Sequence, residues 1–143
     1  MIKRLDVASD LKNVDKMGKK IVEILKKAKI DESDVFDLRL SLEEALVNAI
    51  KYGNKLDSSI NVSIDLSVDN KKVTISVEDC GEGFDHQGLP NPTQENNLLK
   101  PRGRGVFLIK HLMDLVKYNK KGNRVTMTKY LKNKAPTKKK EMV

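Results

Sequence analysis

Two runs of strict apolar–polar alternation, Ile60-Val62-Ile64-Leu66-Val68 and Val73-Ile75-Val77, flank the turn-forming pair Asp69-Asn70. Successive side chains of a strand point to opposite faces, so each run offers one apolar face, and the short polar break predicts an antiparallel hairpin. The second run ends on Asp79-Cys80-Gly81-Glu82-Gly83-Phe84-Asp85, which sets a carboxylate and two glycines at a strand end. The remaining elements must supply the surface on which this hairpin buries its apolar face.

Two amphipathic helices precede it. Leu11, Val14, Met17, Ile21, Ile24, Leu25 and Ala28 recur at helical spacing and predict a helix over Asp10–Lys29, with Ser9 or Asp10 as candidate N-cap. Its opposite face carries Lys12, Lys16, Lys19, Lys20, Lys26 and Lys27 and reads as a solvent face. A cap within Asp31–Asp34 begins a second helix with the apolar stripe Val35, Leu38, Leu42, Ala45 and Ala49, ending near Tyr52-Gly53-Asn54. Asp37, Ser41, Glu44, Asn48 and Lys51 share another face of it, since residues three and four apart are neighbours on a helix. Ile2–Val7 alternates and reads as an edge strand.

After the hairpin, Asp85–Arg102 contains Gly88, Pro90, Pro92, Pro101 and several Asn and Gln, the composition of a long irregular lid. Gly103–Leu115 reads as a helix, and Leu115–Asn119 with Arg124–Leu131 as a final hairpin turning at Lys121-Gly122-Asn123. The order β-α-α-β-β-loop-α-β-β predicts an α+β two-layer sandwich, a sheet with helices on one face.

The chain of 143 residues fits one domain over residues 1–131, followed by a basic tail, 132–143, expected to be disordered. The net charge of +8 at first suggests nucleic acid. Residues 129–143 carry six lysines against one glutamate, so five of those eight charges sit at the end. That pattern is the composition of a solvated tail and argues against direct nucleic-acid binding. The longest apolar run, Val106–Ile109, predicts no membrane span. The N-terminus lacks the apolar centre of a signal peptide, and the single Cys80 forms no internal disulfide; both fit a cytoplasmic protein. Cys80 is expected to be a small packed residue and His111 to pack or face solvent, and no zinc ligand set is present.

Three short patterns could carry chemistry. Asp79 at a strand end can accept a hydrogen bond from an exocyclic amine such as that of adenine, and Gly81 and Gly83 allow close approach to a flat base. Read alone, the same residues make a strand-to-loop turn. Gly103-Arg104-Gly105 before a helix presents free amides and a favourable dipole to a phosphate, with Lys100, Arg102 and Arg104 adding positive charge. Read alone, it is a helix start. Neither the P-loop nor the dinucleotide fingerprint is complete. Glu44 and Asn48 lie one helical turn apart: an amide oxygen suits Mg²⁺, and a carboxylate beside it can take a proton from a hydroxyl.

In this order, Glu44-x-x-x-Asn48, Asp79-x-Gly81-x-Gly83 and Gly103-x-Gly105 resemble the motifs of the GHKL ATPase superfamily. The stretches S-L-E-E-A-L-V-N-A-I-K-Y-G-N, D-C-G-E-G-F-D, L-P-N-P-T and R-G-R-G-V-F-L-I-K-H-L-M-D resemble the stand-alone anti-sigma-factor serine/threonine kinases of bacteria, over roughly residues 10–131. The resemblance implies a Bergerat fold with a mixed, mostly antiparallel sheet under about three helices, binding ATP and Mg²⁺. It implies that Asn48 holds the metal, Glu44 is the base, and Asp79, Gly81 and Gly83 meet the adenine. Arg102, Gly103, Arg104 and Gly105 would meet phosphates, under the lid Asp85–Arg102. It further implies a sigma factor and a STAS-domain anti-anti-sigma protein as partners, and a homodimer. Two departures stand out: Tyr52 occupies a position where many relatives have His, and Glu43 directly precedes Glu44. The competing readings are a nucleotide-gated binding module without kinase activity, and a basic nucleic-acid binder whose salt-dependent binding would vanish on truncation at Leu131.

Overall fold

A computed structural model describes residues 1–81 and 101–131, with the side chains of residues 101–104 outside that description. Gly83, the lid residues 85–100, the tail 132–143 and the side chains of Arg102 and Arg104 therefore lie outside the described residues.

The strands are β1 (Ile2–Ala8), β2 (Asn61–Val68), β3 (Lys72–Glu78), β4 (Leu115–Tyr118) and β5 (Arg124–Tyr130). They form one sheet in the order β1-β2-β3-β5-β4. The helices are α1 (Lys12–Lys27), α2 (Glu32–Val47) and α3 (Pro101–Leu112), with a π-helical turn over Asn48–Gly53 continuing α2. This is the expected two-layer α+β sandwich. All four described ladders are antiparallel, where the resemblance implied a mixed sheet.

The register places Ile64 opposite Val77 and Leu66 opposite Ile75 in the central hairpin, and Ile75 opposite Met127 across to β5. These side chains are all but inaccessible, and they pack with Ile21, Leu25, Leu38, Leu42, Leu46 and Ile50 from the helical layer. The alternate residues form the other face of the sheet, which is polar: Ser76 and Thr126 hydroxyls meet at 2.9 Å, and Arg124 bridges Asp65 at 3.0 Å and Glu78 at 3.1 Å. Apolar alternation thus decides which face of the sheet receives helices.

The helix starts follow their capping residues. The Asp10 carboxylate accepts the Lys12 amide at 3.0 Å, and Asp31 accepts that of Ser33 at 3.2 Å, each satisfying an amide the helix leaves unpaired. The expected lysine face of α1 is exposed at all of Lys12, Lys16, Lys19, Lys20, Lys26 and Lys27.

Four local expectations are corrected. First, α3 begins at Pro101, a residue pre-set for the first helical position, so Gly103-Arg104-Gly105 lies inside its first turns rather than before them. Second, α3 ends at Leu112, not Leu115, because Leu115 pairs with Thr128 in the sheet. Third, Cys80 is exposed rather than packed, since the chain leaves the sheet at Glu78. Fourth, Lys129, counted with the basic end of the sequence, is on the helix-facing side of β5 and only 6% exposed.

Candidate functional site

The site forms where α2 and its π-helical turn, the N-terminal part of α3, the end of β3 and the β4–β5 turn converge. A cleft there is lined by Ala45, Asn48, Ala49, Val77, Asp79 and Ile109, with the segment Gly122–Val125 at its rim. The apolar members come from the same stripes that build the core. The polar ones sit where those stripes end.

Glu44 and Asn48 meet α3 at Gly105. A Cβ built on Gly105 would lie 3.0 Å from Glu44 Oε1, 3.3 Å from Asn48 Nδ2 and 3.6 Å from Asn48 Oδ1. Gly105 is therefore needed for close approach: any side chain would push into the carboxylate and amide of α2. The stripe Asp37, Ser41, Glu44 and Asn48 is not the exposed surface that its polarity suggests. Ser41 is fully buried, and Asp37 pairs with Lys129 Nζ at 3.0 Å. The same Nζ donates to the Leu112 carbonyl at 2.8 Å, which ties the C-terminus of α3 to α2 and β5.

Asp79 is 8% exposed. Its amide donates to the Asn123 carbonyl at 2.9 Å, and its own carbonyl accepts from Asn123 Nδ2 at 2.8 Å. Its Oδ1 accepts the Gly81 amide at 2.7 Å. The carboxylate lies against Gly53, where a Cβ would collide with it. A Cβ on Gly81 would collide with the Gly53 carbonyl. Gly53 and Gly81 thus permit one backbone to pass another, which the sequence alone ascribed, for Gly81, to approach of a base.

The π-helical turn supplies this fit. Asn54 N donates to Ala49 O at 2.8 Å, five residues back, so the turn holds one residue more than an α-turn. Such bulges recur at functional sites because they redirect the following residues. Here the turn begins at Asn48 and ends at Gly53, linking two site residues within six.

Of the expected residues, Glu44, Asn48 and Gly105 come together, and Asn48 and Asp79 line one cleft. Gly81 adjoins Asp79. The backbones of Arg102, Gly103 and Arg104 are in the first turns of α3. Asn54, Asn123 and Lys129 escaped sequence reasoning. Asn54 follows Gly53 at the end of the π-helical turn and Asn123 follows Gly122 in the β4–β5 turn, a Gly-Asn pattern that marks turns in general and so carried no particular signal.

The donor set suits a hard cation completed by other ligands. Glu44 Oε1 and Asn48 Oδ1 are oxygen donors on adjacent turns, beside space that a Cβ would fill. No group of three or more His, Cys, Asp or Glu able to hold a metal by itself occurs among the described residues. No helix of the described residues is long and apolar enough to cross a membrane.

Known proteins share this arrangement of sequence and fold. A family model described as a histidine kinase-like ATPase domain matches residues 7–129. The serine-protein kinase RsbW of Staphylococcus epidermidis is 31% identical over 117 residues, covering 76% of this chain and 74% of that protein. Its counterpart in Staphylococcus aureus strain JH9 is 33% identical over 107 residues, 69% of this chain and 67% of that one. Among solved structures, that of the RsbU and RsbW domains of a Mycobacterium tuberculosis protein superposes with a TM-score of 0.62 and 16% identity, over 92% of this chain and 32% of that chain. This chain thus spans about a third of that longer polypeptide, and the likeness is one of fold.

Proposed function

Because the chain belongs to the histidine kinase-like ATPase family, alongside the serine-protein kinases named RsbW, we propose that it is an ATP-dependent protein serine/threonine kinase. In this reading it is also the anti-sigma factor of a bacterial partner-switching system. It holds a sigma factor and phosphorylates a STAS-domain anti-anti-sigma protein, acting as a cytoplasmic homodimer whose catalytic domain is residues 1–131. The observation that carries the reading is the junction at Gly105, which sets α3 against Glu44 and Asn48, with Asn48 lining a cleft together with Asp79.

Each residue then has a task. Asp79 accepts the exocyclic amine of adenine, with Gly81 and Gly83 beside the ring. The first turn of α3 offers its unpaired amides and dipole to phosphate oxygens, and Arg102, Gly103, Arg104 and Gly105 belong to that end. Asn48 would supply an amide oxygen to Mg²⁺, which when bound would add positive charge beside the phosphates. Glu44, one turn before Asn48, accepts the proton of the partner's serine or threonine hydroxyl as its oxygen attacks the γ-phosphorus, the bond to the β–γ bridging oxygen breaks and ADP leaves.

The test is transfer of labelled phosphate from ATP to a STAS-domain protein of the same bacterium, by wild type and Glu44→Ala. Loss of a general base costs about 10²–10⁴ in rate. The variant should lose transfer by that factor and keep ATP affinity. Transfer at the wild-type rate would remove Glu44 from the base role. No transfer by the wild type, with ATP and partner both bound, would leave a nucleotide-gated binding module.

A further inference from the structure

We infer that Asn54 is a positioning residue for base selection: its side chain fixes the Asp79–Gly81 corner so that the Asp79 carboxylate meets an amine-bearing purine. The inference rests on the proposed role of Asp79 as the base-reading group. Asn54 does not line the cleft; it acts through the backbone of Cys80.

Asn54 is 4% exposed, and its side chain makes three hydrogen bonds. Its Nδ2 donates to Ser9 Oγ at 2.9 Å and to the Asn61 carbonyl at 3.2 Å, and its Oδ1 accepts the Cys80 amide at 2.8 Å. Two of these partners are main-chain groups, a carbonyl and an N–H, so the orientation of the amide is fixed by the network. Asn is suited to this position because it offers two donors and an acceptor on one short planar group. Ser9 in turn donates to the Ile60 carbonyl at 2.6 Å. One buried side chain thus joins the residue after β1, the start of β2 and the corner after β3.

Gly53 and Asn54 hold that corner as a pair. Gly53 leaves the space taken by the Asp79 carboxylate, and Asn54 holds the next amide. From the opposite side, Asn123 clasps both main-chain groups of Asp79 at 2.9 and 2.8 Å. Without the Asn54 bond, Cys80 loses the acceptor that opposes this pull. The Asp79–Gly81 turn, closed by the 2.7 Å bond from Gly81 N to Oδ1, then shifts as a unit toward Asn123. A hydrogen bond to a base weakens steeply with the resulting change of angle. Deleting the amide should therefore erode discrimination between bases more than it erodes phosphate binding.

The experiment compares ATP with ITP, in which a carbonyl replaces the amine, by calorimetry in the presence of Mg²⁺. Wild type, Asn54→Ala and Ser9→Ala are used, with amide hydrogen exchange at Cys80 as a readout without nucleotide. Wild type should prefer ATP by about tenfold or more, the loss expected for a charged hydrogen bond. Asn54→Ala should reduce that preference to less than about threefold and speed Cys80 exchange about tenfold or more. Ser9→Ala, which disturbs the same cluster but leaves the Asn54–Cys80 bond, should keep both wild-type values. A folded Asn54→Ala protein with full ATP preference would overturn the inference and make Asn54 a structural residue only. If Asn54→Ala does not fold, Asn54→Asp retains the acceptor for Cys80 and should retain the preference; a folded Asp variant without it would also overturn the inference. A wild type that binds ATP and ITP equally would instead remove Asp79 from the base-reading role, and this inference with it.

Discussion

Lys129→Met gives a direct measure of how α3 is held against α2. The Lys129 ammonium meets the Asp37 carboxylate at 3.0 Å and the Leu112 carbonyl at 2.8 Å, with side-chain exposures of 7% for Lys129 and 22% for Asp37. Methionine keeps most of the apolar stem and removes the charge. Breaking a fully buried pair from one side costs about 3–5 kcal/mol, because the other charge stays behind. Asp37 retains some contact with water, so a loss of about 2–3 kcal/mol is expected here, near the value of a charged hydrogen bond. For a domain of this size that corresponds to a fall in Tm of roughly 10 °C. Asp37→Leu alone should cost a similar amount. The double variant Lys129→Met/Asp37→Leu should recover most of the loss, since replacing a whole buried pair by apolar groups is often neutral. Urea denaturation of the four proteins measures this as a coupling energy, expected at about 3–5 kcal/mol from two single losses of about 2–3 kcal/mol that the double variant largely recovers. Strictly additive losses, with coupling below about 0.5 kcal/mol, would refute the view that this pair joins the two helices.

Two further outcomes follow from named contacts. Gly105→Ala should leave stability near that of the wild type, because the gain in helix propensity of about 0.5–1 kcal/mol offsets a tight contact. It should nevertheless lower phosphotransfer at least about tenfold, since Glu44 must move by a few tenths of an ångström from 3.0 Å; full activity in a steady-state assay would contradict that geometry. Asp69 accepts the amides of Lys71 at 2.7 Å and Lys72 at 2.9 Å, and these bonds, Lys71's foremost, hold its carboxyl below the ordinary value of 3.8. A lowered folded pKa stabilises the fold above the ordinary value, and this contribution is lost as pH falls from there through the lower folded pKa, so Asp69→Asn should flatten the acid limb of stability below about pH 4. Parallel urea midpoints for wild type and variant from neutral pH to about pH 3 would contradict this.

The sheet and its helical face were legible because β2 and β3 alternate without interruption, and a one-residue slip would expose the whole apolar set. The α2 stripe was equally plain. Glu44, Asn48, Asp79 and Gly105 were legible as residues, and their convergence required the resemblance, since no local period relates them. What escaped was set by tertiary partners. Lys129 reads as part of a basic end until Asp37 and the Leu112 carbonyl are brought beside it. Glycine is a weak helix former, so the sequence suggests a helix that only opens at Gly103-Arg104-Gly105, whereas Pro101 determines the first turn. The π-helical turn has no periodic signature at all. It was hidden within an otherwise helical pattern, although it brings Gly53 and Asn54 to the end of β3.

Calorimetry of ATP binding with and without Mg²⁺, on wild type and Asn48→Ala, tests the central claim that this cleft is a nucleotide site. The wild type should bind ATP in a Mg²⁺-dependent way, with affinity about tenfold or more weaker in the variant and an unchanged Tm without ligand. Equal affinity in the two proteins would contradict the role of Asn48. No binding by the wild type would contradict the claim itself.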